Sequence, residues 1–204
     1  VLKERLARNY GRAQAEVFVS NGSDEILNFA FMAYGEQGVR FADITYGFYS
    51  VFADLYGLDA EVIPLREDFS LDAEAFCGKD GLTVITNPNA PTGRGVTLEF
   101  LEDLLQHNQD CVVIIDEAYV DFGAQSAVPL LGKYENLLIV QTTSKSRSLA
   151  GMRIGYALGS ETLISTLEAV TNSYNSYTMD AIALAVGSSS IRHEAYFQQT
   201  FRKV

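Results

Sequence analysis

Cys111-Val112-Val113-Ile114-Ile115-Asp116-Glu117-Ala118-Tyr119 is the stretch on which the fold turns. It holds five apolar residues in a row, four of them β-branched, with none of the alternation of a half-exposed strand. A run of this kind reads as a strand covered on both faces, which belongs inside a mostly parallel sheet with helices above and below. Asp116 comes directly after it, at the rim of a dry core. A carboxylate there needs a cationic partner to stay ionised, or else it serves only as a turn or cap.

Working outward, strand-like and helix-like stretches alternate. Strands are expected at 17–20, 39–44, 61–65, 82–86, 111–115, 137–142 and 154–158. Helices are expected at 1–10, 26–34, 48–56, 72–76, 98–107, 163–170 and 179–186. Leu98, Leu101, Leu104 and Leu105 make one helical face, and Gly57 ends the helix before it in a natural stop. The fold class is therefore α/β, a mostly parallel sheet flanked by helices.

Composition narrows the function. The 204 residues are 48% hydrophobic and 20% charged, which excludes a disordered chain. A net charge of −11 argues against a nucleic-acid partner, and no apolar run is long enough to span a membrane. Cys77 and Cys111 are far apart and fit neither a disulfide framework nor a zinc motif, which suggests a reducing, cytoplasmic compartment. His107 and His193 are too few for a histidine-built centre and belong on helix surfaces, so no metal is expected. The first residue is Val1, within a stretch that already reads as helix, so the sequence reads as a segment of a longer chain.

Ligands of open parallel sheets sit beyond the carboxyl ends of strands, and the unusual residues of this chain collect there. Asn21-Gly22-Ser23-Asp24-Glu25 looks like a helix start capped by Asn21 or Ser23, whose free N–H groups can hold an anion. Thr142-Thr143-Ser144-Lys145-Ser146 puts a lysine among hydroxyls, and such a lysine can form Schiff bases. Lys145, Arg147 and Arg153 fall within nine residues of an acidic chain, a local inversion that suggests an anion site with Ser144 as an added donor. Tyr46-Gly47-Phe48-Tyr49 offers a ring that could stack on a flat heterocycle. Each feature alone is ordinary. Together they make the inventory for holding pyridoxal 5′-phosphate.

Asn87-Pro88-Asn89-Ala90-Pro91-Thr92-Gly93, Asp116-Glu117-Ala118-Tyr119 and the stretch from Ser144 to Arg153 resemble the class I/II, fold-type-I aminotransferases. Asn21 to Glu25 and Thr45 to Tyr49 resemble, in order and spacing, the subgroup that exchanges an amino group between L-histidinol phosphate and 2-oxoglutarate in histidine biosynthesis. The resemblance implies that residues 1–204 are the cofactor-binding large domain, without the N-terminal segment and C-terminal small domain of the family. It implies a cytoplasmic homodimer. It also implies Lys145 as the Schiff-base lysine and proton carrier, Asp116 as partner of the pyridine nitrogen, and Tyr119 on the phenolic oxygen. Tyr46 would stack on the ring, while Ser23, Asp24, Ser144 and Arg153 would grip the phosphate. The family usually has two asparagines before Pro-Thr-Gly; here the second is Ala90, so the contact to the phenolic oxygen passes to Asn89, with Asn87 the other candidate. The neighbouring activities are threonine-phosphate decarboxylation and aromatic-amino-acid transamination. A non-catalytic cofactor-binding regulatory domain is the alternative of another class.

Overall fold

The computed structural model describes residues 1–78 and 80–203. Seven strands form one sheet: β1 (Val17–Ser20), β2 (Val39–Ala42), β3 (Ala60–Ile63), β4 (Leu82–Thr86), β5 (Val113–Asp116), β6 (Leu137–Thr142) and β7 (Gly155–Gly159). Their order across the sheet is β1-β7-β6-β5-β4-β2-β3. The pairs β2–β3, β2–β4, β4–β5 and β5–β6 are parallel, whereas β7 runs antiparallel to both β6 and β1. The sheet is thus mixed but mostly parallel. Because β7 is reversed between them, β1 and β6 point the same way. One edge therefore gathers the carboxyl ends of six strands and the amino end of β7.

The helices among the described residues are α1 (Leu2–Tyr10), α2 (Ser23–Tyr34), α3 (Phe48–Tyr56), α4 (Leu98–His107), α5 (Glu161–Tyr174), α6 (Ala181–Arg192) and α7 (Glu194–Phe201). They cover both faces of the sheet. Val113 and Ile115 of β5 pack with Leu2 and Leu6 of α1 and Leu101, Leu104 and Leu105 of α4, while Ile114 packs with α2, α3 and α5. Successive residues of one strand enter opposite cores, which is why the run carries no polar alternation. Asp116 shares the parity of Ile114 and so faces the α2–α3 side. No helix is long and apolar enough to cross a membrane.

Boundaries shift where side chains compete for backbone groups. The central strand begins at Val113 rather than 111, since Cys111 gives its N–H to the Asn108 carbonyl in the turn after α4 (3.2 Å), and it extends to include Asp116. Strand β2 stops at Ala42 because the Asp43 carboxylate captures the N–H groups of Ile44 (2.8 Å) and Leu65 (2.9 Å), which also shortens β3. Residues 72–76 form a 3₁₀ turn, Ala73–Phe76. Helix α7 was not expected: it has no fully buried residue, so its apolar spacing is faint.

The β6 centre is a direct test of this layering. Ile139 is fully buried on the α1–α4 side, away from the strand ends. Ile139→Ala should lower unfolding free energy by about 2–5 kcal/mol, read from urea denaturation. A loss within the scatter of surface substitutions would contradict the packing described.

Candidate functional site

Asp116 is the least ordinary residue of the carboxyl edge. It is 3% exposed, yet it lines a cavity of about 180 Å³ together with Ser23, Asp24, Tyr46, Tyr119, Ser144, Lys145 and Arg153. Two donors hold its carboxyl group: the Tyr49 hydroxyl to Oδ2 at 2.6 Å and the Ala118 N–H to Oδ1 at 3.1 Å. Burial pushes its pKa up, and these donors oppose that rise. With the Tyr49 proton committed to Asp116, the Thr86 hydroxyl at 2.9 Å must donate to Tyr49, and Thr45 at 2.8 Å to Thr86. The hydroxyls thus point their protons in sequence toward the carboxylate. Thr86 is the register partner of Asp116 on β4, so this relay follows from strand pairing.

Lys145 lies in the loop after β6, and its ammonium sits 5.0 Å from the centre of the Tyr119 ring. Two ties hold that loop. Thr143 N–H bonds the Ile154 carbonyl at 3.0 Å and Leu149 N–H the Thr143 carbonyl at 3.0 Å. Ser146 donates to Asp121, joining the Lys145 loop to the one carrying Tyr119.

The opposite end of the cavity is the turn before α2. Gly22 takes φ +93° and lies so close to the Arg153 guanidinium that a Cβ would meet Nη2 at 2.5 Å. At Gly155 a Cβ would run into the Ser23 nitrogen, so the turn rests directly on the start of β7. Only glycine permits either approach. Arg153 itself has φ +50°, which turns its side chain back over this turn, 3.6 Å from Asp24 Oδ2. Tyr46 donates to Asp24 Oδ1 at 2.8 Å, and burial together with Asp24 raises its phenol pKa. Ser144 accepts from the Thr142 hydroxyl at 3.0 Å.

Three sequence expectations need correction. Asn89 does not line this cavity. Its amide donates to the Ile44 carbonyl (2.8 Å) and to Thr92 (3.1 Å), bracing its own loop, and Ala90 stands at the cavity wall instead. Asn87 is likewise engaged, donating to Gln125 and accepting from Val96. Arg147 leaves the cation cluster: it pairs with Glu194 and stacks 5.0 Å over the Phe197 ring, holding α7 against the body. Finally, neither Asn21 nor Ser23 caps α2; Gly22 is the cap residue and no cap side chain bonds the first turn. Glu25 instead accepts from Ser20 and from the Asn21 N–H (2.9 Å).

Thr86, Thr142 and Tyr49 are site residues that the sequence did not single out for these roles. The position of Thr86 as last residue of a buried strand was the available signal. Glu117, beside Asp116, is 1% exposed and fully engaged, accepting from Ala127 N–H (2.6 Å), Ser126 (2.8 Å) and Gln141 (2.7 Å). Burial pushes its pKa up to about 7.

Residues 1–202 match the family described as aminotransferase class I and II. The chain is 52% identical over 205 residues to the histidinol-phosphate aminotransferase of Clostridium acetobutylicum, covering 100% of this chain and 58% of that protein. It is 48% identical over 205 residues to the enzyme of the same name from Acinetobacter baumannii, covering 57% of it. Its fold matches the crystal structure of histidinol-phosphate aminotransferase from Sinorhizobium meliloti in complex with pyridoxal-5′-phosphate, with a TM-score of 0.88 and 24% identity over 99% of this chain and 57% of that one. The chain thus spans a little under three fifths of the length of these relatives.

Glu117 yields a pH prediction. Its folded pKa lies above the unfolded value, so the native state keeps the proton that the unfolded state releases, and stability falls as pH rises from 4.5 to about 7. Glu117→Gln should remove a slope on the order of 3 kcal/mol across that window. Urea denaturation at several pH values checks it; parallel curves for both proteins would contradict the buried, protonated carboxyl.

Proposed function

This chain belongs to the class I and II aminotransferase family, and we propose that its carboxyl-edge cavity holds pyridoxal 5′-phosphate for transfer of an amino group between L-histidinol phosphate and 2-oxoglutarate, in histidine biosynthesis. The observation that carries the reading is Asp116: a buried carboxylate facing a cavity, held by a phenol and an amide and, among the described residues, by no direct ion pair. A ligand with a positive ring nitrogen supplies the missing countercharge. The same cavity wall carries an amine, Lys145, and a guanidinium, Arg153, as an aldehyde and a phosphate require. The donor set therefore fits this cofactor.

When bound, pyridoxal phosphate supplies an aldehyde that captures amines and a protonated ring that withdraws electrons from the carbon losing its proton. The protein's part follows from its own residues. Asp116 would keep the ring nitrogen charged, and the relay from Tyr49, Thr86 and Thr45 keeps Asp116 oriented. Lys145 Nζ is the amine that would hold the aldehyde and the base that would carry a proton to and from the substrate carbon. Tyr119, already facing Lys145, would donate its hydroxyl to the ring oxygen, with the amides of Asn89 and Asn87 engaged elsewhere. Tyr46 would cover the ring. Ser23 and Asp24, through their backbone N–H groups at the uncapped start of α2, would grip the phosphate with Ser144 and Arg153. Arg153 is only loosely paired at 3.6 Å from Asp24, so a phosphate can recruit it.

On this reading residues 1–204 are the cofactor-binding large domain of a cytoplasmic enzyme that works as a homodimer. The dimer is supported by an apolar stripe on α3, where Phe48, Val51 and Leu55 are 48%, 49% and 65% exposed, and by Val62, half-exposed on the edge strand β3.

Borohydride reduction of the full-length protein followed by peptide mass mapping should place a pyridoxyl-phosphate adduct on Lys145, lost in Lys145→Ala. An adduct on another lysine would overturn the assignment. Asp116→Ala should still bind cofactor but turn over about 10²–10³-fold more slowly, glutamate formation being the assay. Carbon dioxide release from a phosphorylated amino acid, without glutamate, would reassign the reaction as a decarboxylation. Leu55→Asp should shift the protein toward monomer in size-exclusion chromatography; an unchanged elution volume would remove α3 from the interface.

A further inference from the structure

The edge of the sheet opposite the pocket gathers a second set of chemically able side chains. We propose that Cys77, Asp103 and His107 form a binding site for a divalent metal ion of zinc type. One ligand atom from each lies within 4.8 Å of the other two. Asp103 and His107 stand one turn apart on α4, where the His107 Nδ1–H is given to the Asp103 main-chain carbonyl (2.8 Å), which fixes the ring and leaves Nε2 as the nitrogen able to ligate. Their i,i+4 pairing explains itself as a surface contact, but it gives no reason for a thiol from another segment to join.

Cys77 follows the 3₁₀ turn Ala73–Phe76, and its segment is fixed to α4 on both sides. The Gly78 N–H donates to the His107 carbonyl at 3.1 Å. The buried Asn108 amide donates to the carbonyls of Phe76 (3.0 Å) and Leu104 (2.8 Å). The thiol is therefore held against the helix end by backbone bonds on each flank, and little ordering remains when an ion enters. The local field favours a cation: the site lies at the carbonyl end of α4, where the helix dipole is negative, and Glu74 and Asp103 act on the Cys77 thiol. Burial first, and then those carboxylates, hold the thiol above its usual range; a bound metal displaces that proton and makes the thiolate its ligand. A thiolate, an imidazole and a carboxylate are the mixed soft and hard donors that zinc accepts, with a water in the fourth position.

Helix α4 leaves the carboxyl edge after β4 and returns the chain to the start of β5, so the site is separated from the catalytic cavity by the thickness of the sheet edge to edge. Its role is to staple segment 73–78 onto α4, not to take part in amino-group transfer. The test uses the full-length protein, stripped with chelator and titrated with zinc(II) alone by calorimetry, beside Cys77→Ser and His107→Ala. Removing an outer-shell partner already costs metal sites about 10–100-fold in affinity, so loss of a ligand in either variant should weaken one micromolar or tighter binding event at least as much. Cys77→Ser should keep the aminotransferase activity of the parent. Equal zinc affinity in parent and variants, or no binding at micromolar zinc, would overturn the site.

Discussion

A carboxylate at the end of a strand that is dry on both faces is the constraint around which this molecule is organised. Asp116 lies one residue beyond Ile115 and opposite Thr86, so strand pairing alone places it under the α2–α3 layer. Removing a charge from water is expensive unless it is bonded and balanced. The fold answers the first need with Tyr49 and Ala118, and the hydroxyls of Thr86 and Thr45 behind them. The second need stays open toward the cavity. That asymmetry makes Asp116 a group built for a cationic ligand rather than for the stability of the chain.

The reversed strand β7 explains why the rest of the site converges. With β7 antiparallel between β1 and β6, its first residues lie on the same edge as the loop ends of its neighbours. Arg153, just before β7, reaches the turn after β1, and Gly155 lets that turn settle on the strand. A fully parallel sheet would have carried this arginine to the far edge. The single antiparallel element thus brings Arg153 and the turn before α2 to one end of the cavity.

What was legible in the sequence were features set by local patterning: the doubly buried strand, the polar residues at strand ends, the apolar face of α4. Lys145, Asp116, Tyr119, Tyr46, Ser23, Asp24, Ser144 and Arg153 do share one cavity wall. The failures have a common physical cause, which is that side chains near a site can be claimed by the backbone. Asn89 and Asn87 are consumed by carbonyl and N–H groups of their own and adjacent loops. Arg147 differs from Arg153 by no local signal, only by the arrival of Glu194 and Phe197 from α7. Cys77 and His107 read as isolated because the bonds that join them run through Asn108 and Gly78, across separate elements. Such partnerships depend on tertiary closure, and no spacing rule within one segment encodes them.

The charges on the cavity wall also divide the work of recognition. Lys145 and Arg153 are the cationic residues among the described residues lining it, and on the proposed reading one meets an aldehyde and the other a phosphate. A substrate or co-substrate carboxylate needs a further cation, because a bidentate guanidinium pair is what distinguishes it from a neutral amine. The described residues of this wall offer none. Arg147, the nearest in sequence, is locked to Glu194 and the Ser190 carbonyl (3.1 Å) and cannot turn inward without releasing α7. Asp24, on the same wall, would repel an unpaired anion. On the proposed reading, the type of reaction rests on Asp116 and Lys145, and the choice among anionic substrates on groups that approach the open side of the cavity.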